Sequence, residues 1–476
     1  MSSYTENNSD ALGILQDPSA NKFLDSIVQG LPPQSRVLSV GCRASLPILS
    51  KFSSAHHEIH GIDRSQESID PVKSQTSGQF ELAEETEYAP DLTFNAILAI
   101  HSLSHLNRAQ RCSLVYKISD WLHPGGSMIL ATPSDHVINR CHDHVDHCAQ
   151  GHSLHLNGKT IRSSLPSRKE WITLCEKAGL TLEGEVPFSG NVGDPHHTLM
   201  HFRKTVQHSM VGPFPLPEAY RGPIPLSEAA WEPFATRLVR DEFDFVLEVL
   251  KNNQKVLDVG SGYGKLPMEL AARTGKAYSI EPNPDRNSIQ AMNAHNSGVE
   301  IAQGSAESIP YPDSHFDAVV AMWVMQYVED LEKSLHEIVR VTDRSAKDSR
   351  IVIVQGAPEN EVVELQNTAC APVSASNPLP NHQGYLLHKA VQVFTKCGFG
   401  DIAFHRVDAY CEFLEEDVSV RCEKAADVVA GLWCLDDERY EDMKQALMPR
   451  LRAHFEDRPH AIGDQVAVLV ARPLPN

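Results

Sequence analysis

One pattern occurs twice in this chain of 476 residues, and it constrains the fold more than any other feature. A short apolar strand runs into a turn at Arg36–Ser45, and the same succession returns at Lys255–Gly264. The second turn has glycine at alternate positions, whereas the first keeps only Gly41. Because a glycine-rich turn between a strand and a helix lets a ligand approach the backbone, the repeat predicts a duplicated ligand-binding fold. One copy is intact and the other is altered.

Further elements correspond between the two halves. Each half has a second strand that ends in an acidic residue, Asp63 in the first and Glu281 in the second. Each then has a nearly continuous apolar run, Phe94–Ile100 and Phe316–Met322, which is typical of a strand buried on both faces of a parallel sheet. Helical patterns alternate with these strands. The alternation predicts an α/β fold with two tandem Rossmann-like domains and doubly wound, mostly parallel sheets, the second domain carrying a helical C-terminal addition.

A proline-rich segment, Val211–Leu226, separates the halves. Proline at this density favours an extended connector over a helix or a central strand. We therefore predict a first domain over residues 1–206, a linker over 207–226 and a second domain over 227–476.

The composition of the chain limits the kinds of partner that it is expected to bind. Acidic residues outnumber basic residues by 62 to 42, which gives a net charge of −20 and disfavours nucleic acid as a partner. The start, Met1–Gly13, lacks the pattern of a signal peptide, and no apolar run is long enough for a membrane span. The ten cysteines are then expected to be reduced thiols. We predict a cytoplasmic protein that does not bind a membrane.

In the second half, the turn Gly260–Gly264 and the acid Glu281 are typical of a site for a nucleotide-like ligand. A carboxylate about twenty residues after the glycines is placed to accept hydrogen bonds from ribose hydroxyls. The glycine spacing is G-x-G-x-G, whereas dinucleotide folds prefer G-x-G-x-x-G. On these residues alone, NAD and S-adenosylmethionine (SAM) both remain open.

The next segment, Gly304–Asp317, closely resembles a motif of class I SAM-dependent methyltransferases, as do Asp258–Gly264 and Glu281. The resemblance implies that SAM is the cofactor. We predict no metal-ligating residue in the site. By the resemblance the glycine turn approaches the methionine part of SAM, Glu281 holds the ribose, and the later loop flanks the adenine. The implied cofactor-binding residues are Asp258, Gly260, Ser261, Gly262, Gly264, Glu281, Pro282, Ser305, Ala306, Glu307 and Trp323.

One departure from the family pattern concerns the adenine. The family usually has Asp where Ser305 stands, and its carboxylate accepts a hydrogen bond from the adenine amino group. Ser305 or Glu307 has to accept this bond instead, or the contact is lost.

Trp323 and Tyr327 follow the strand Phe316–Met322, at the sheet edge where open α/β folds bind ligands. They are candidates to wall the cofactor and substrate cavity, and packing under the next helix is the alternative. Methyl transfer depends mainly on positioning and on exclusion of water, so a base is needed only for an acceptor that must lose a proton. The catalytic candidates are Tyr327, Trp323 and His388, with His336 and His382 as further candidate bases. The earlier segment Trp231–Leu250 has helical spacing, and it either caps this site or packs on the sheet.

The residues after the strand Phe316–Met322 limit the class of methyl acceptor. Family members that methylate amino groups of DNA bases or glutamine amides carry an Asn/Asp-Pro-Pro-Tyr-like tetrapeptide there, whereas this chain has Ala321–Val324. A small-molecule N, O or S acceptor, such as a secondary metabolite or a small amine, or another side chain of a peptide, fits better. We expect the two domains to pair within the chain, and the oligomeric state stays open.

In the first half, Arg43 and Ser45 stand where the second half has Gly262 and Gly264. A side chain at the Gly262 position is expected to intrude where the cofactor would lie. Asp63 is kept, and Leu122–Gly126 resembles the turn before the fifth strand of active methyltransferases. The fold is therefore expected to persist with an altered cofactor site.

Histidines are concentrated in this half. His101 and His105 match Trp323 and Tyr327 in position, so they are the candidates for a retained or repurposed function. The His-rich segment Cys141–His155 is compatible with a structural metal, with substrate-site histidines, or with an ordinary polar loop.

Three functions follow from these observations. The first is methyl transfer in the second half, with a first half that is structural, shapes the substrate site or regulates. The second is a bifunctional enzyme with two methylation sites. The third is a binding or regulatory protein derived from a methyltransferase and without turnover.

Overall fold

The computed structural model describes residues 13–88, 90, 92–103, 105–106, 108–134, 153–156, 159–162, 166–189, 197–205, 217–223, 227–376, 383–407 and 409–474. The chain divides into two compact units, Met1–Ser209 and Met210–Asn476. Among the residues just given, no helix is both long enough and apolar enough to cross a membrane.

The first unit is built around one large sheet. Its elements are α1 (Pro18–Gly30), β1 (Arg36–Val40), α2 (Cys42–Ser54), β2 (Glu58–Asp63), α3 (Gln66–Gln75), β3 (Gln79–Leu82), β4 (Phe94–Ile100), α4 (Arg108–Trp121), β5 (Leu122–Pro133), β6 (Ser153–Leu156), β7 (Lys159–Arg162), α5 (Arg168–Lys177), β8 (Leu180–Phe188) and β9 (His197–Lys204). The strand order is β3-β2-β1-β4-β5-β9-β8, and β6 pairs with β7 separately. All pairings from β3 to β5 are parallel, whereas β9 is antiparallel to both of its neighbours. The predicted turn Leu122–Gly126 interrupts the register of β5, and Gly125 there has a φ of 75°.

The second unit contains more elements around a sheet of the same size. They are α6 (Glu228–Ala235), β10 (Leu238–Arg240), α7 (Glu242–Val249), β11 (Val256–Val259), α8 (Lys265–Thr274), β12 (Ala277–Glu281), α9 (Pro284–Asn293), β13 (Val299–Gln303), β14 (Ala318–Met322), α10 (Leu331–Val341), β15 (Arg350–Gly356), α11 (Glu361–Leu365), a π-helical turn (Gln366–Cys370), α12 (Gln383–Lys396), β16 (Phe399–Val407), β17 (Ala409–Glu412), α13 (Val418–Cys434), α14 (Tyr440–Asp457), β18 (Ala461–Gly463) and β19 (Val466–Pro473).

The large sheet of the second unit repeats the topology of the first. Its order is β13-β12-β11-β14-β15-β19-β16, with the strands from β13 to β15 parallel and β19 antiparallel to both neighbours. Buried apolar side chains of β11, β14 and β15 pack against helices on both faces, as the continuous apolar runs predict. The predicted fold class, an α/β fold with two Rossmann-like, mostly parallel sheets, is confirmed.

The helical addition lies before the last strand of the sheet, because α13 and α14 stand between β17 and β18 and the chain then returns to the sheet as β19. These helices form a separate core with α6 and the π-helical turn. A small sheet of order β10-β17-β18 accompanies them.

The prediction of one helix over Trp231–Leu250 is wrong. The structure has α6, then β10, then α7, and β10 pairs antiparallel with β17 through Leu238 opposite Cys411 and Val239 opposite Tyr410. The apolar residues at helical spacing belong to two short helices, and the strand between them is fixed by a partner distant in sequence. Helical periodicity carries no information about such a partner.

Candidate cofactor site

The glycine turn of the second unit has a left-handed backbone at each glycine. The φ angles are 72° at Gly260, 57° at Gly262 and 84° at Gly264, a region that residues with a Cβ atom rarely adopt. A Cβ on Gly260 would lie 2.5 Å from Val324 Cγ2, and one on Gly264 would lie 2.4 Å from Gln290 Cγ. A Cβ on Gly262 would meet nothing within 4 Å. Gly260 and Gly264 are therefore required by packing, whereas Gly262 borders open space.

Glu281 ends β12 beside this turn. Its Oε2 accepts a hydrogen bond from the backbone N–H of Gly262 at 2.9 Å, and its Oε1 accepts one from Asn283 N–H at 3.1 Å. The side chain is buried, so these two bonds fix the carboxylate, and each oxygen keeps a lone pair for a ligand hydroxyl. Pro282 follows at the sheet edge and is exposed.

Asp258 is a second carboxylate at this edge. Burial, and after it the negative charge of Glu281, raises the pKa of Asp258 to about 7. Two acids so close together favour either a proton or a positively charged group beside them. A positively charged group beside these acids would favour the ionised form of Asp258.

Gln290 of α9 supports the turn, and sequence reasoning missed it. The Ser261 hydroxyl donates to Gln290 Oε1 at 3.0 Å, and Gln290 Nε2 donates to Ser279 Oγ at 2.8 Å. Gln290 is fully buried. The turn is thus tied through one amide to both α9 and β12. The only signal in the sequence is a polar residue at an inward-facing helical position, which no motif marks.

The loop after β13 holds the three residues expected beside adenine. Ser305 and Ser308 pair through a single antiparallel β-bridge, and Ala306 between them is buried in the core. Glu307 Oε1 accepts the Glu329 N–H at 2.8 Å, so this carboxylate faces the loop that follows β14. Ser305 is half-buried in the same turn.

Trp323 directly follows β14 and is held by three contacts. Its backbone φ is 60°, and its N–H donates to Val354 O at 2.9 Å. The indole Nε1–H donates to Glu242 Oε1 at 3.2 Å, and the Arg240 guanidinium carbon lies 4.3 Å from the ring centroid. Burial raises the pKa of Glu242, against the opposing effect of Arg240. Glu242 and Arg240 come from α7 and β10, so the segment expected to cap the site or pack on the sheet supplies contacts to Trp323.

The structure separates the remaining catalytic candidates. Tyr327 lies on the same loop as Trp323 and is 45% exposed, which leaves its ring available to a ligand. His388 lies on α12, where its Nε2 is 3.0 Å from Gln392 Nε2 one turn further along the helix. His336 lies on α10 with Nδ1 3.8 Å from Cys397 Sγ, and His382 lies outside the described residues. Trp323 and Tyr327 thus share a loop, and His388 lies on a different element, α12.

The corresponding turn of the first unit has become helical. The N–H of Gly41 donates to Ile62 O at 2.9 Å, as the N–H of Gly260 donates to Ile280 O at 2.8 Å, so the two turns start alike. However, α2 begins immediately after Gly41, whereas α8 begins only after Gly264. The turn in the first unit is therefore replaced by the first turn of a helix.

Arg43 stands where the second unit has Gly262, and the expectation that its side chain intrudes into a cofactor site stays a prediction. Arg43 N–H donates to Asp63 Oδ2 at 3.4 Å, which repeats the contact between Gly262 and Glu281 in a longer form. The Arg43 side chain turns toward α3, where Nη1 donates to Glu67 O at 3.3 Å. The space is altered by the helix itself, with Cys42, Ala44 and Ser45 buried in it.

His101 repeats the backbone of Trp323. Its φ is 54°, and its N–H donates to Ala131 O at 3.1 Å. Its ring centroid lies 4.8 Å from that of His197, and burial, followed by the charge of His197, lowers the pKa of His101 to about 3. His105 Nε2 lies 2.5 Å from Glu85 Oε1. In this unit both positions after β4 are thus occupied by histidines engaged with neighbouring side chains.

The His-rich segment Cys141–His155 falls almost entirely outside the described residues, so none of its three interpretations is tested. Within the part of the chain that the structure describes, no group of three or more His, Cys, Asp or Glu side chains is arranged to hold a metal ion.

This fold and this turn are those of a Rossmann-like protein that binds a nucleoside-containing cofactor. Two family models, each described as a methyltransferase domain, match residues 257–347 and residues 16–185. The chain belongs to the class I SAM-dependent methyltransferase family, whose cofactor is SAM.

Individual relatives match only part of the chain. The uncharacterized methyltransferase YcgJ of Bacillus subtilis is 28% identical over 114 residues, which is 23% of this chain and 44% of YcgJ. A ubiquinone/menaquinone biosynthesis C-methyltransferase of Cronobacter sakazakii is 31% identical over 99 residues, 19% of this chain and 39% of the relative. A probable ribosomal RNA small subunit methyltransferase A of Thermococcus sibiricus is 40% identical over 72 residues, 15% of this chain and 26% of the relative. The chain thus spans less than half the length of each.

The crystal structure of YcgJ is also similar to this chain. It aligns over 49% of this chain and 98% of its own, with 16% identity and a TM-score of 0.35.

Proposed function

We propose that the second domain, residues 227–476, binds SAM and transfers its methyl group to a small-molecule N, O or S acceptor. The observation that carries the proposal is the pairing of an open glycine turn with a fixed acid. Gly262 borders open space, and its N–H holds Glu281 in place at 2.9 Å. The open turn leaves room for a ligand beside the protein backbone, and the free lone pairs of Glu281 suit a ribose diol.

The charges of the site fit SAM. The cofactor supplies an electrophilic methyl group on a positively charged sulfur, and it also carries an ammonium group. Burial, and after it the charge of Glu281, raises the pKa of Asp258, and a cationic ligand beside the glycine turn would offset both effects. Ala306 and Glu307 are placed to border the adenine.

The acceptor side is assigned to the loop after β14. Trp323 is rigidly held by Glu242, Arg240 and its backbone, which suits a wall that positions a reacting group. Tyr327 on the same loop is partly exposed and is placed to contact the acceptor or the methyl group. Enclosure between such walls excludes water and orients the acceptor, and this supplies most of the acceleration that methyl transfer needs.

We assign the first domain, residues 1–206, a structural, substrate-shaping or regulatory role. It is proposed to be an altered copy of the second, paired with it inside the chain through the linker 207–226. Because α2 begins directly after Gly41, the left-handed turn that would receive SAM has no counterpart there. This favours one SAM site per chain over the bifunctional alternative.

A small-molecule acceptor is favoured by charge and by the loop sequence. The net charge of −20 opposes a polyanionic acceptor. The relatives are named for ubiquinone/menaquinone biosynthesis and for ribosomal RNA, so their names do not favour one class of acceptor. We also propose a cytoplasmic location, where the ten cysteines would be reduced thiols.

The test is incubation of the full chain with methyl-labelled SAM and a fractionated extract, followed by mass spectrometry. The proposal predicts label in a small metabolite, dependent on an intact Gly262. Label found only in RNA or protein contradicts the acceptor class. SAM binding without any transfer contradicts catalysis and supports the regulatory alternative.

A further inference from the structure

A tyrosine of the proline-rich segment contacts the loop that follows β14. Residues 217–223 of this segment are described, and Tyr220 is its central aromatic residue. The Tyr220 hydroxyl lies 2.8 Å from Met325 O and 2.9 Å from Val328 O. Because the hydroxyl has one proton, it donates to one of these two carbonyls at a time. The segment is therefore attached to the loop that follows β14.

These two carbonyls lie on either side of Tyr327, which we propose to contact the methyl acceptor. Met325 and Val328 flank Gln326 and Tyr327, so the Tyr220 hydroxyl spans the turn on which Tyr327 is carried. Inside the turn, Tyr327 N–H donates to Val324 O at 2.8 Å. The hydroxyl thus adds an outside support to a turn with one internal hydrogen bond at Tyr327.

Tyr220 also lies near the loop after β13, which holds the residues expected beside adenine. Its ring packs against the core cluster that contains Ala306, Ile309 and Val328. Burial raises the pKa of Tyr220 to about 12, and the neighbouring carboxylates of Glu307 and Glu329 add to this effect. The hydroxyl therefore keeps its proton under physiological conditions and remains a donor. Glu307 in turn accepts the N–H of Glu329, so one aromatic residue stands where the two loops meet.

The fit of the segment around the hydroxyl is close. A Cβ on Gly222 would lie 2.0 Å from the Tyr220 hydroxyl oxygen, so the chain folds tightly back over it. Such an approach is available only to a residue without a side chain. This fixes the hydroxyl against the carbonyls of the loop.

We propose that Tyr220 is a positioning residue of the cofactor and acceptor site, through which the proline-rich segment holds the loop after β14 in its binding geometry. This inference rests on the proposed function, because it gives that loop its role. It assigns residues 217–223 to the site, although the sequence places them in a linker. It also implies that SAM binding and the order of this segment strengthen each other.

The test compares Y220F with Y440F in the full chain. Each variant removes a partly buried hydroxyl that donates to a backbone carbonyl, and Tyr440 donates to Asp427 O at 3.2 Å within the helical addition. Hydrogen exchange of residues 324–330 and the calorimetric Kd for SAM are measured for both. We expect Y220F to accelerate exchange in this loop and to weaken SAM binding roughly tenfold, the effect of losing one hydrogen bond. Y440F is expected to leave both unchanged. In the wild type, SAM is expected to slow exchange at residues 218–222.

Two results overturn the inference. One is a Y220F protein whose loop exchange and Kd match those of Y440F. The other is faster loop exchange in Y220F with an unchanged Kd, because Tyr220 would then stabilise the loop without serving the site. Failure of the wild type to bind SAM contradicts the proposed function instead, and the exchange comparison still shows whether Tyr220 holds the loop.

Discussion

The backbone N–H of Gly262 donates to the Glu281 carboxylate at 2.9 Å, and this bond joins the glycine turn to the acid that follows the next strand. In the first unit the equivalent bond, from Arg43 to Asp63, is 3.4 Å long and starts from a helix. The two units thus share a fold and differ at the atoms that would receive a cofactor. That difference is where the functional claims can be tested.

The first prediction concerns Gly262. G262R introduces the residue found in the first unit, and we expect SAM affinity to fall by at least about a hundredfold, because the side chain enters open space that the cofactor requires. An L-residue at a φ of 57° costs about 1–2 kcal/mol of stability. Isothermal calorimetry and thermal denaturation measure the two effects.

G275R is the matched control for this variant. Gly275 has a φ of 82° and also has no atom within 4 Å of a Cβ, but it caps the far end of α8. Stability should fall to a similar extent in both variants, and only G262R should lose SAM. Equal SAM affinity in G262R and G275R would show that the turn is not the cofactor site.

The second prediction is a pH dependence of SAM binding. The pKa of Asp258 is raised to about 7, so the carboxyl gains its negative charge as pH rises through this value. A cationic ligand prefers the charged form, and SAM affinity should increase from pH 6 to pH 8, by at most about tenfold per unit below the pKa. Calorimetry in two buffers should also detect proton release near pH 7. D258N should flatten the profile, whereas D244N on the exposed surface of α7 should keep it.

The third prediction concerns the free energy of unfolding. Because the folded protein holds the Asp258 proton more tightly than the unfolded chain, this stabilising contribution is complete below about pH 4 and is lost as pH rises to about 7. D258N should remove this decline, and at pH 8 it should be more stable than the wild type by on the order of 1–3 kcal/mol. Urea denaturation at several pH values measures it, and a D258N protein with the wild-type slope would refute the assignment.

The fourth prediction concerns Gln290. Q290L removes the bonds that tie Ser261 to Ser279, and it should cost about 1–3 kcal/mol because the buried Ser279 hydroxyl and the partly buried Ser261 hydroxyl both lose their bond to this amide. SAM affinity should fall with it, since the glycine turn loses its anchor. Q392L, on the exposed face of α12, is the control and should change neither quantity. Wild-type SAM binding by Q290L would mean that the turn keeps its shape without this amide.

Much of the fold could be predicted because each strand carries its own signal. The apolar runs of β4 and β14 are each continuous in sequence, and Asp63 and Glu281 are the last residues of β2 and β12, so each signal lies within one element. The order of these elements specifies a parallel sheet. β10 could not be predicted in this way, because its strand conformation depends on pairing with β17 far along the chain.

The residues of the candidate site also fall into two groups, those that a sequence motif marks and those that only the fold brings together. Gly262, Glu281 and the loop from Ser305 form a motif in sequence, so they could be named in advance. Gln290 and Tyr220 act through contacts across the fold, and no spacing reveals them. The direction of the Arg43 side chain also depended on where α2 begins.

The most direct test of the account is a calorimetric titration of the full chain with SAM, alongside G262R. The account predicts one SAM per wild-type chain and none for G262R. Two SAM molecules per wild-type chain, or one retained by G262R, would contradict the claim that the second unit alone holds the cofactor site.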